Sequence, residues 1–536
     1  MEPFDFIIVG AGSAGCVLAN RLSADPATRV CLIEAGQDDQ AWPTRWKTNT
    51  PMGNPTLLND ARFNWEFSYA AEARTGGRAI PAPRGRMLGG SSAVNGMIYI
   101  RGHRSDYDAW EAAGNVGWGW DEVLAAFRAH ENHEAGSDEF HARGGELNVA
   151  PLRQVHPASR AFADAAASLQ LRHNADFNGA ELDGFGPYEV TQKGGQRWSS
   201  ARAFLHPVRS RSNLTVLTGC LATSLVIEGG RAVAVDVVRG GARLRLDARR
   251  EIVLAGGAIN SPQLLLLSGI GPAAELRALG IEVRCDLPGV GRNLQDHVGV
   301  PLSVLDPTAS AYALAWRFLP RLGWNALWYA LARRGMFASN VVEAGGFVRT
   351  AAGLVAPDVQ YVFMAALKES SRAVPHRPGF LITTTLLRPA SRGWLRLASA
   401  DPAEKPILTG NFLDHPDDVR TLVDGLVLLR RIVAAEPFRR FAGHEILPGA
   451  GVTEDADLAA FVHRSLVTIY HPVGTAKMGP ADDPMAVVDN RLRVRGVAGL
   501  RVADCAIMPS IVSGNTNAPA MMIGERCAHF ILADRA

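Results

Sequence analysis

Residues 6–36 read FIIVGAGSAGCVLANRLSADPATRVCLIEAG, and this stretch decides the fold. Residues 6–9 are a short β-rich run. Gly10, Gly12 and Gly15 follow at Gly-x-Gly-x-x-Gly spacing, with Ala11, Ser13 and Ala14 between them. From Cys16 the apolar residues recur with helical period, and the helix is expected to stop before Pro26. A second strand, RVCLIEAG, carries the acid Glu34, nineteen positions after Gly15. Strand, glycine turn, helix, strand and acid is the order of a dinucleotide-binding βαβ unit. The glycines permit a tight turn and a close backbone approach. The helix N-terminus offers free N–H groups to a pyrophosphate, and a carboxylate at 34 accepts from ribose hydroxyls. An acid there favours an unphosphorylated ribose, as in NAD or FAD, and the motif leaves those two open.

The rest of the chain has the composition of a soluble globular enzyme. It has 536 residues, 47% hydrophobic and 20% charged, unlike disordered or fibrous chains. That length suits two interleaved domains. A balance of 55 basic against 53 acidic residues leaves a net charge of +2 and no long-range field for nucleic acid. Six cysteines, Cys16, Cys31, Cys220, Cys285, Cys505 and Cys527, form no Cys-x-x-Cys pair. Most sit in apolar runs and read as reduced structural residues of a cytoplasmic protein. No secretory leader is expected ahead of the glycine turn, and no stretch approaches the roughly 20 apolar residues of a membrane span. AYALAWRFLPRLGWNALWYALARRG (311–335) is apolar and tryptophan-rich but broken by arginines and Pro320. It reads as a pair of helices covering a pocket, with peripheral contact on the inner membrane surface as its second reading.

Three further stretches bear on the cofactor. GRMLGGSSAVNGMIYIRG (85–102) holds Gly89-Gly90-Ser91-Ser92, whose small side chains let backbone lie against a flat ligand. In GGAINSPQLLLLSGIG (256–271), Ser261-Pro262 has the form of a helix start, with Ser at the N-cap and Pro in the first turn. QLLLLS is then a buried helix that Gly269 ends. GLRVADCAIMPSIVSGNTNAPAMMIGERCA (499–528) reads as a strand, the acid Asp504, a polar turn and a closing buried helix. One histidine stands apart. In TIYHPVGTAKMG (468–479), His471 has no second metal-ligating residue beside it. The chain also has no His-Glu-x-x-His or paired-cysteine spacing, so no metal site is expected. Pro472 disfavours helix at His471 and puts it on an extended or turn segment.

In order along the chain, the N-terminal glycines, residues 85–108, residues 257–271, PGVGRNLQDH (288–297), YHPVGTAKMG and the NTNAP stretch resemble the glucose–methanol–choline (GMC) oxidoreductases. The resemblance spans the whole chain. It implies an α/β fold, in which a Rossmann-like FAD-binding domain is interleaved with a substrate domain built on an antiparallel sheet. It selects FAD over NAD and implies contacts. Gly10, Gly12, Ser13, Ala14 and Gly15 would hold the pyrophosphate and Glu34 the adenosine ribose. Met87, Gly90 and Asn95 would approach the flavin and its linker, and the backbone of Ala222 the adenine. Asp504 and the backbone at Thr516 and Asn517 would reach the ribityl chain and the pyrimidine edge. Members with covalent flavin carry a histidine just before the position of Asn95. Val94 stands there, so non-covalent FAD is expected. His471 falls at the family's active-site base, and Asn515, 44 residues on, at its partner position.

The chemistry suits these residues. Oxidising an alcohol to the aldehyde moves a hydride from carbon and a proton from oxygen. Imidazole titrates near neutrality and can take the proton, whereas an asparagine can only hydrogen-bond the oxygen. Glu343, in SNVVEAGGF, is a candidate to face a cationic substrate and equally a candidate buried acid. His297 is expected to pack or cap near the flavin domain, and His103 to lie in a surface or cap loop. Residues 1–155, 212–305 and 476–536 are assigned to the FAD-binding domain, and 156–211 and 306–475 to the substrate domain. Residues 190–205 and 383–402 are expected as strands and turns of the latter. Within the family the sequence most resembles bacterial membrane-associated aliphatic alcohol dehydrogenases and choline-dehydrogenase-like members. The apolar 311–335 segment favours a primary, largely apolar alcohol, aliphatic or aryl, with electrons passed to a quinone-type or other carrier. An alcohol oxidase that reduces O2 to H2O2, a choline dehydrogenase and a flavin-dependent lyase on the same fold are the alternatives.

Overall fold

The computed structural model describes residues 2–368 and 375–534. The elements that position the site begin with β1 (Phe4–Val9), α1 (Ser13–Leu22), β2 (Val30–Ile33) and α2 (Thr44–Asn49). Next come β3 (Gly184–Pro187), β4 (Leu214–Leu217), β5 (Cys220–Glu228), β6 (Arg231–Arg239), β7 (Ala242–Leu254) and α3 (Gly257–Leu267). They are followed by β8 (Val298–Leu305), α4 (Leu319–Ala332), β9 (Ala344–Val348), β10 (Val359–Met364), β11 (Gly379–Leu386) and α5 (Pro416–Ala434). The last three are β12 (Glu445–Leu447), β13 (Leu500–Val502) and α6 (Asn517–Ala533).

The first sheet has the order β4–β2–β1–β7–β6–β5, and β13 also pairs with β7. Its β4, β2, β1, β13 and the end of β7 run parallel, with Ile8 opposite Leu32 on one side and Val253 on the other. A parallel sheet is covered on both faces, which is why FDFIIV and VCLI are continuous apolar runs rather than alternating ones. β7 is long enough to serve twice. Its start pairs antiparallel with β6, and its end pairs parallel with β1. α1 packs on α6, and a Cβ at Gly524 would come within 2.7 Å of the Ala14 carbonyl, so only glycine allows that approach.

The second sheet has the order β12–β8–β11–β10–β9–β3 and is antiparallel. Residues 467–468 pair with β8 just before His471, so this sheet sets the loop that carries the histidine. β8 belongs wholly to the second sheet, and the expected boundary at 305 coincides with its last residue. The crossing between sheets is Asn293–His297, which has no glycine or proline to announce it. A smaller sheet joins residues 67–72 and 78–82 to 394–396 and 407–409, tying the N-terminal third to the substrate side.

Three local expectations need correction. Ser261 is not an N-cap: α3 starts at Gly257 and Pro262 lies inside it. Proline has no N–H, so the Ala258 carbonyl lacks its helical donor, and the Thr475 hydroxyl supplies one at 2.6 Å. Residues 311–335 form one helix, α4, after a single turn at 316–318, not a pair. Pro320 sits in the first turn of α4, where a missing N–H breaks no helical bond. In 190–205, strand is confined to Val190, the end of a two-residue strand, and a two-residue-per-arm hairpin at 192–197, and residues 201–205 are a wide helical turn.

Candidate active site and cofactor cleft

A cavity of about 1030 Å³ runs from the glycine turn after β1 to the loop of His471 and is walled by both sheets. At the first end, Gly10, Gly12, Ser13 and Ala14 line it, and α1 begins at a Gly12 N-cap with no side-chain cap. The N–H groups of its first turn are therefore free for an anion. Gly10 has φ +107°, and a Cβ there would lie 2.5 Å from the Ala255 carbonyl oxygen. Gly15 does not line the cavity. It lies behind the turn, where a Cβ would come within 1.9 Å of the Gly10 oxygen, so the close packing there requires glycine. Glu34 is on the wall and accepts from the Ala11 N–H at 3.0 Å and the Gly36 N–H at 2.8 Å. Burial still pushes its carboxyl up to about 7.

Further along the wall come Gly90, Val94 and Asn95, then Cys220, Leu221 and Ala222, then Asp504, Asn515, Thr516 and Asn517. Asn95 is held by Arg197, which donates to its carbonyl at 2.7 Å and its side-chain oxygen at 3.0 Å. Arg197 is fully buried without a carboxylate, and desolvation lowers it to about 9. Asp504 accepts from the Gly257 N–H, the Ser261 hydroxyl and the Ala506 N–H, tying α3 to the strand before it. Ser13 donates to Asn517 Oδ1 at 2.7 Å, which sets the N-termini of α1 and α6 side by side. Met87 is buried behind the wall with Leu57, Phe63, Ala93 and Val94, and does not line the cavity. The uncapped helix start, the wall acid and the close-packed glycines fit a flavin dinucleotide.

Glu343 is not in the cavity wall either. It is fully buried and accepts from the His156 N–H and the hydroxyls of Ser159, Tyr312 and Ser339. With its oxygens filled by these donors, no acceptor remains for a substrate cation, so the buried-acid reading holds. Lys368, on the cavity wall, is the only charge that residues 301–383 bring to it among the described residues.

At the far end, His471 is only 9% exposed and lies on an extended loop after Tyr470, whose φ is +70°. A non-glycine residue in the left-handed region is uncommon and costs energy. Asp296 accepts the His471 backbone N–H at 2.7 Å and the Tyr69 hydroxyl at 2.7 Å, and holds this conformation. The ring makes two contacts. His471 Nδ1 lies 3.0 Å from His297 Nδ1, and His471 Nε2 lies 3.3 Å from Asn515 Nδ2.

The protons in this chain can be assigned. His297 Nε2 is 3.1 Å from the Leu387 carbonyl, which only accepts, so His297 Nε2 carries hydrogen. Burial lowers His297 to about 3, so the ring is neutral and its Nδ1 is a lone pair. His471 Nδ1 must then donate to it, and His471 Nε2 is left as a lone pair at the cavity. Burial, with His297 and the Arg84 guanidinium near, holds His471 well below the usual imidazole range. Asn515 is oriented from its other side, because Gln360 Nε2 lies 3.3 Å from its Oδ1 and 3.1 Å from the Tyr188 hydroxyl. Its Nδ2 is therefore the end that meets His471.

Sequence reasoning brought His471 and Asn515 together but missed His297, Asp296, Gln360 and Arg84. Arg84 lines the cavity and donates to the Tyr470 carbonyl. NLQDH was legible as a motif, and its Asp and His both turn out to face the histidine loop. Gln360 and Arg84 carried no local signal. His103 caps the helix at 104–112 by accepting from the Ser105 N–H, as a cap loop should.

A dinucleotide turn on a parallel sheet, facing a buried histidine set by an antiparallel sheet, is the layout of a dinucleotide-dependent oxidoreductase of two interleaved parts. Models of the two GMC oxidoreductase domains match residues 4–299 and 389–524. The chain belongs to the GMC oxidoreductase family. It is 43% identical over 533 residues to the alcohol dehydrogenase [acceptor] of Pseudomonas putida, covering 99% of this chain and 96% of that one. It is 40% identical to the oxygen-dependent choline dehydrogenase of Brucella anthropi, covering 98% and 95%. Among solved structures, pyridoxine 4-oxidase from Mesorbium loti superposes with a TM-score of 0.87 at 34% identity, covering 98% of each chain. In the described residues no helix is long and apolar enough to cross a membrane.

Proposed function

We propose that the protein oxidises a primary, largely apolar alcohol to the aldehyde, using non-covalently held FAD. The observation that carries this reading is the His471 Nε2 lone pair at the cavity beside the Asn515 amide. FAD, when bound, supplies the hydride acceptor. Gly10, Gly12, Ser13 and Ala14 would hold its pyrophosphate, Glu34 its ribose, and Gly90, Asn95, Ala222, Asp504, Thr516 and Asn517 the rest of its length. Val94, buried on the wall, offers no side chain for a covalent bond.

His471 Nε2 takes the hydroxyl proton of the alcohol as the carbon loses hydride. Asn515 Nδ2 donates to the same oxygen and fixes its position, since 3.3 Å between the two nitrogens leaves one oxygen within reach of both. The nearby Arg84 guanidinium favours negative charge developing on that oxygen. An unprotonated base needs no prior deprotonation at neutral pH, which suits burial.

The substrate side of the wall includes Pro301, Val362, Met364, Ala366, Leu381 and Leu447, with Lys368 the single charge that the described residues of 301–383 bring to it. Among the described residues of 301–383, a quaternary ammonium would meet a cation and no carboxylate on that wall, whereas an alkyl or aryl chain meets apolar surface. This observation favours an apolar alcohol over choline. The Pseudomonas putida relative, named for an acceptor, supports transfer of electrons to a quinone-type carrier, and O2 is the second reading, since the Brucella relative is named as oxygen-dependent.

An anaerobic alcohol panel tests the reading. Primary aliphatic and benzylic alcohols should bleach the flavin, and choline and sugars should do so at least about tenfold more slowly, the order of discrimination that 1.4 kcal/mol of contact provides. Bleaching by choline alone would overturn the substrate assignment. On admitting air, slow return of colour, with peroxide formed only at that slow rate, is expected for a dehydrogenase, and fast return with an equivalent of peroxide would make it an oxidase.

A further inference from the structure

The substrate side of the wall is an apolar ladder with a charge at its end. β10 runs outward from the site, and Gln360 Nε2, near its start, lies 3.3 Å from Asn515 Oδ1. Val362 and Met364, two and four residues on, line the cavity. Ala366 and Lys368 continue the same alternation past the strand. The residues between them belong to the other face. Tyr361, Phe363, Ala365 and Leu367 are buried, and Phe363 stacks on Phe162 and Phe380. Period two is the pleat of a strand. It persists beyond Met364 because Ala365 is held on both sides. Its N–H donates to the Val341 carbonyl and its carbonyl accepts from the Tyr312 N–H, each at 2.9 Å.

β11 completes the ladder. Thr383 pairs with Val362 and Leu381 with Met364, and both line the cavity, as residues paired across a sheet share one face. Lys368 then stands half-buried at the outer end. Burial alone lowers its amine from the ordinary value, with no carboxylate among the described residues to hold its charge. A cation on an apolar wall is costly, and a carboxylate arriving beside it relieves that cost. At about 3.3 Å per residue, Met364 lies about 13 Å along the strand from Gln360, and Lys368 comes four residues later. A ligand that meets both Asn515 and Lys368 therefore needs a chain between its two ends, not one or two carbons.

We propose that the cavity takes an ω-hydroxy carboxylate, with its hydroxyl at His471 and Asn515, its alkyl chain along Val362 and Met364, and its carboxylate at Lys368. This names the substrate class of the oxidation proposed above and rests on that reading. The primary hydroxyl end loses hydride and proton as before, and the product is the ω-oxo carboxylate. Lys368 takes no part in the chemistry. It selects the substrate by its far end, which a plain alkanol lacks and choline carries with the wrong sign.

The test compares ω-hydroxydecanoate with decanol in anaerobic flavin reduction by the FAD-loaded full chain. Wild type should favour the hydroxy acid at least about tenfold in kcat/KM, mostly through KM, as one charge-assisted contact provides. Hydroxypropanoate, too short to reach, should gain nothing over propanol. Lys368→Met should remove the preference. Lys368→Glu should invert it in favour of ω-aminodecanol, an outcome that only a folded variant can give. Decanoate, which has no hydroxyl to oxidise, should bind wild type and bind Lys368→Met about tenfold more weakly in calorimetry, with no turnover involved. Equal wild-type efficiency with decanol and the hydroxy acid would overturn the proposal, as would a preference that Lys368→Met keeps. Decanoate that binds both forms equally would also overturn it and place the carboxylate at Arg84. No reduction by either alcohol, with decanoate still bound through Lys368, would sink the oxidation reading and uphold the anion site.

Discussion

At the residue scale, the decisive feature is which nitrogen of His471 holds the proton. The Leu387 carbonyl fixes His297, His297 fixes His471, and the lone pair ends up at the cavity. His297→Ala should leave FAD bound but lower flavin reduction, because His471 then has no partner to fix its tautomer. Removing an orienting group of this kind should cost about tenfold to a hundredfold. An unchanged rate and pH profile would mean that the ring is held by something else. The pH dependence follows from burial. His471 sits well below its ordinary value, so kcat/KM should stay level through neutral pH and fall only below about 6.5. The same burial links to stability. Below pH 6.5 the unfolded chain takes up a proton that folded His297 refuses until about 3. Stability is therefore complete above 6.5 and should be lost progressively as pH falls toward 3, as denaturant titrations across that window would show. A motif could locate His471 and Asn515, but it could not show the 174-residue contact to His297, which depends on where β8 starts. Nor could it separate a substrate-facing Glu343 from a saturated one, because its donors come from three separate stretches of chain, 156–159, 312 and 339.

At the scale of elements, the βαβ unit was legible because each of its parts has its own physical signature. Glycine at 10 and 15 marks close approach, apolar period marks α1, and the acid follows β2. Gly15→Ala forces a Cβ against the Gly10 oxygen at 1.9 Å and should abolish FAD retention, as read by the protein-bound flavin absorbance after gel filtration. Full retention would show that the turn can shift. α3 was misread at its start because Ser-Pro is an ordinary helix opening, and a proline inside a helix is tolerated only where tertiary structure supplies the missing donor. Thr475 is that donor, 217 residues from Ala258. Thr475→Val should leave the carbonyl unpaired and lower unfolding stability by about 1–3 kcal/mol, measured by urea denaturation. No change would mean that water takes the place of the hydroxyl. α4 was misread as two helices because Pro320 looks like a break, though at a first turn it is a start.

At the scale of the molecule, the sequence order of segments alternates between two sheets, and the cleft lies where they meet. Composition and motifs pointed to the interleaving, and β8, which follows the turn at 288–291, lies wholly in the second sheet. Among the described residues, Lys368 is the one charge that 301–383 bring to the cavity wall, so on the proposed reading discrimination against cations would reside in this wall. Lys368→Met should therefore narrow the gap in kcat/KM between a primary aliphatic alcohol and choline, while leaving flavin content unchanged. A gap that does not move would place the discrimination elsewhere in the wall.

The central claim, that His471 Nε2 is the base for alcohol oxidation, is tested most directly by anaerobic rapid mixing of FAD-loaded protein with a primary aliphatic alcohol. The wild-type flavin should bleach, and His471→Ala, with flavin content and spectrum intact, should bleach about 10²–10⁴-fold more slowly. Bleaching of His471→Ala at near wild-type rate would contradict the account.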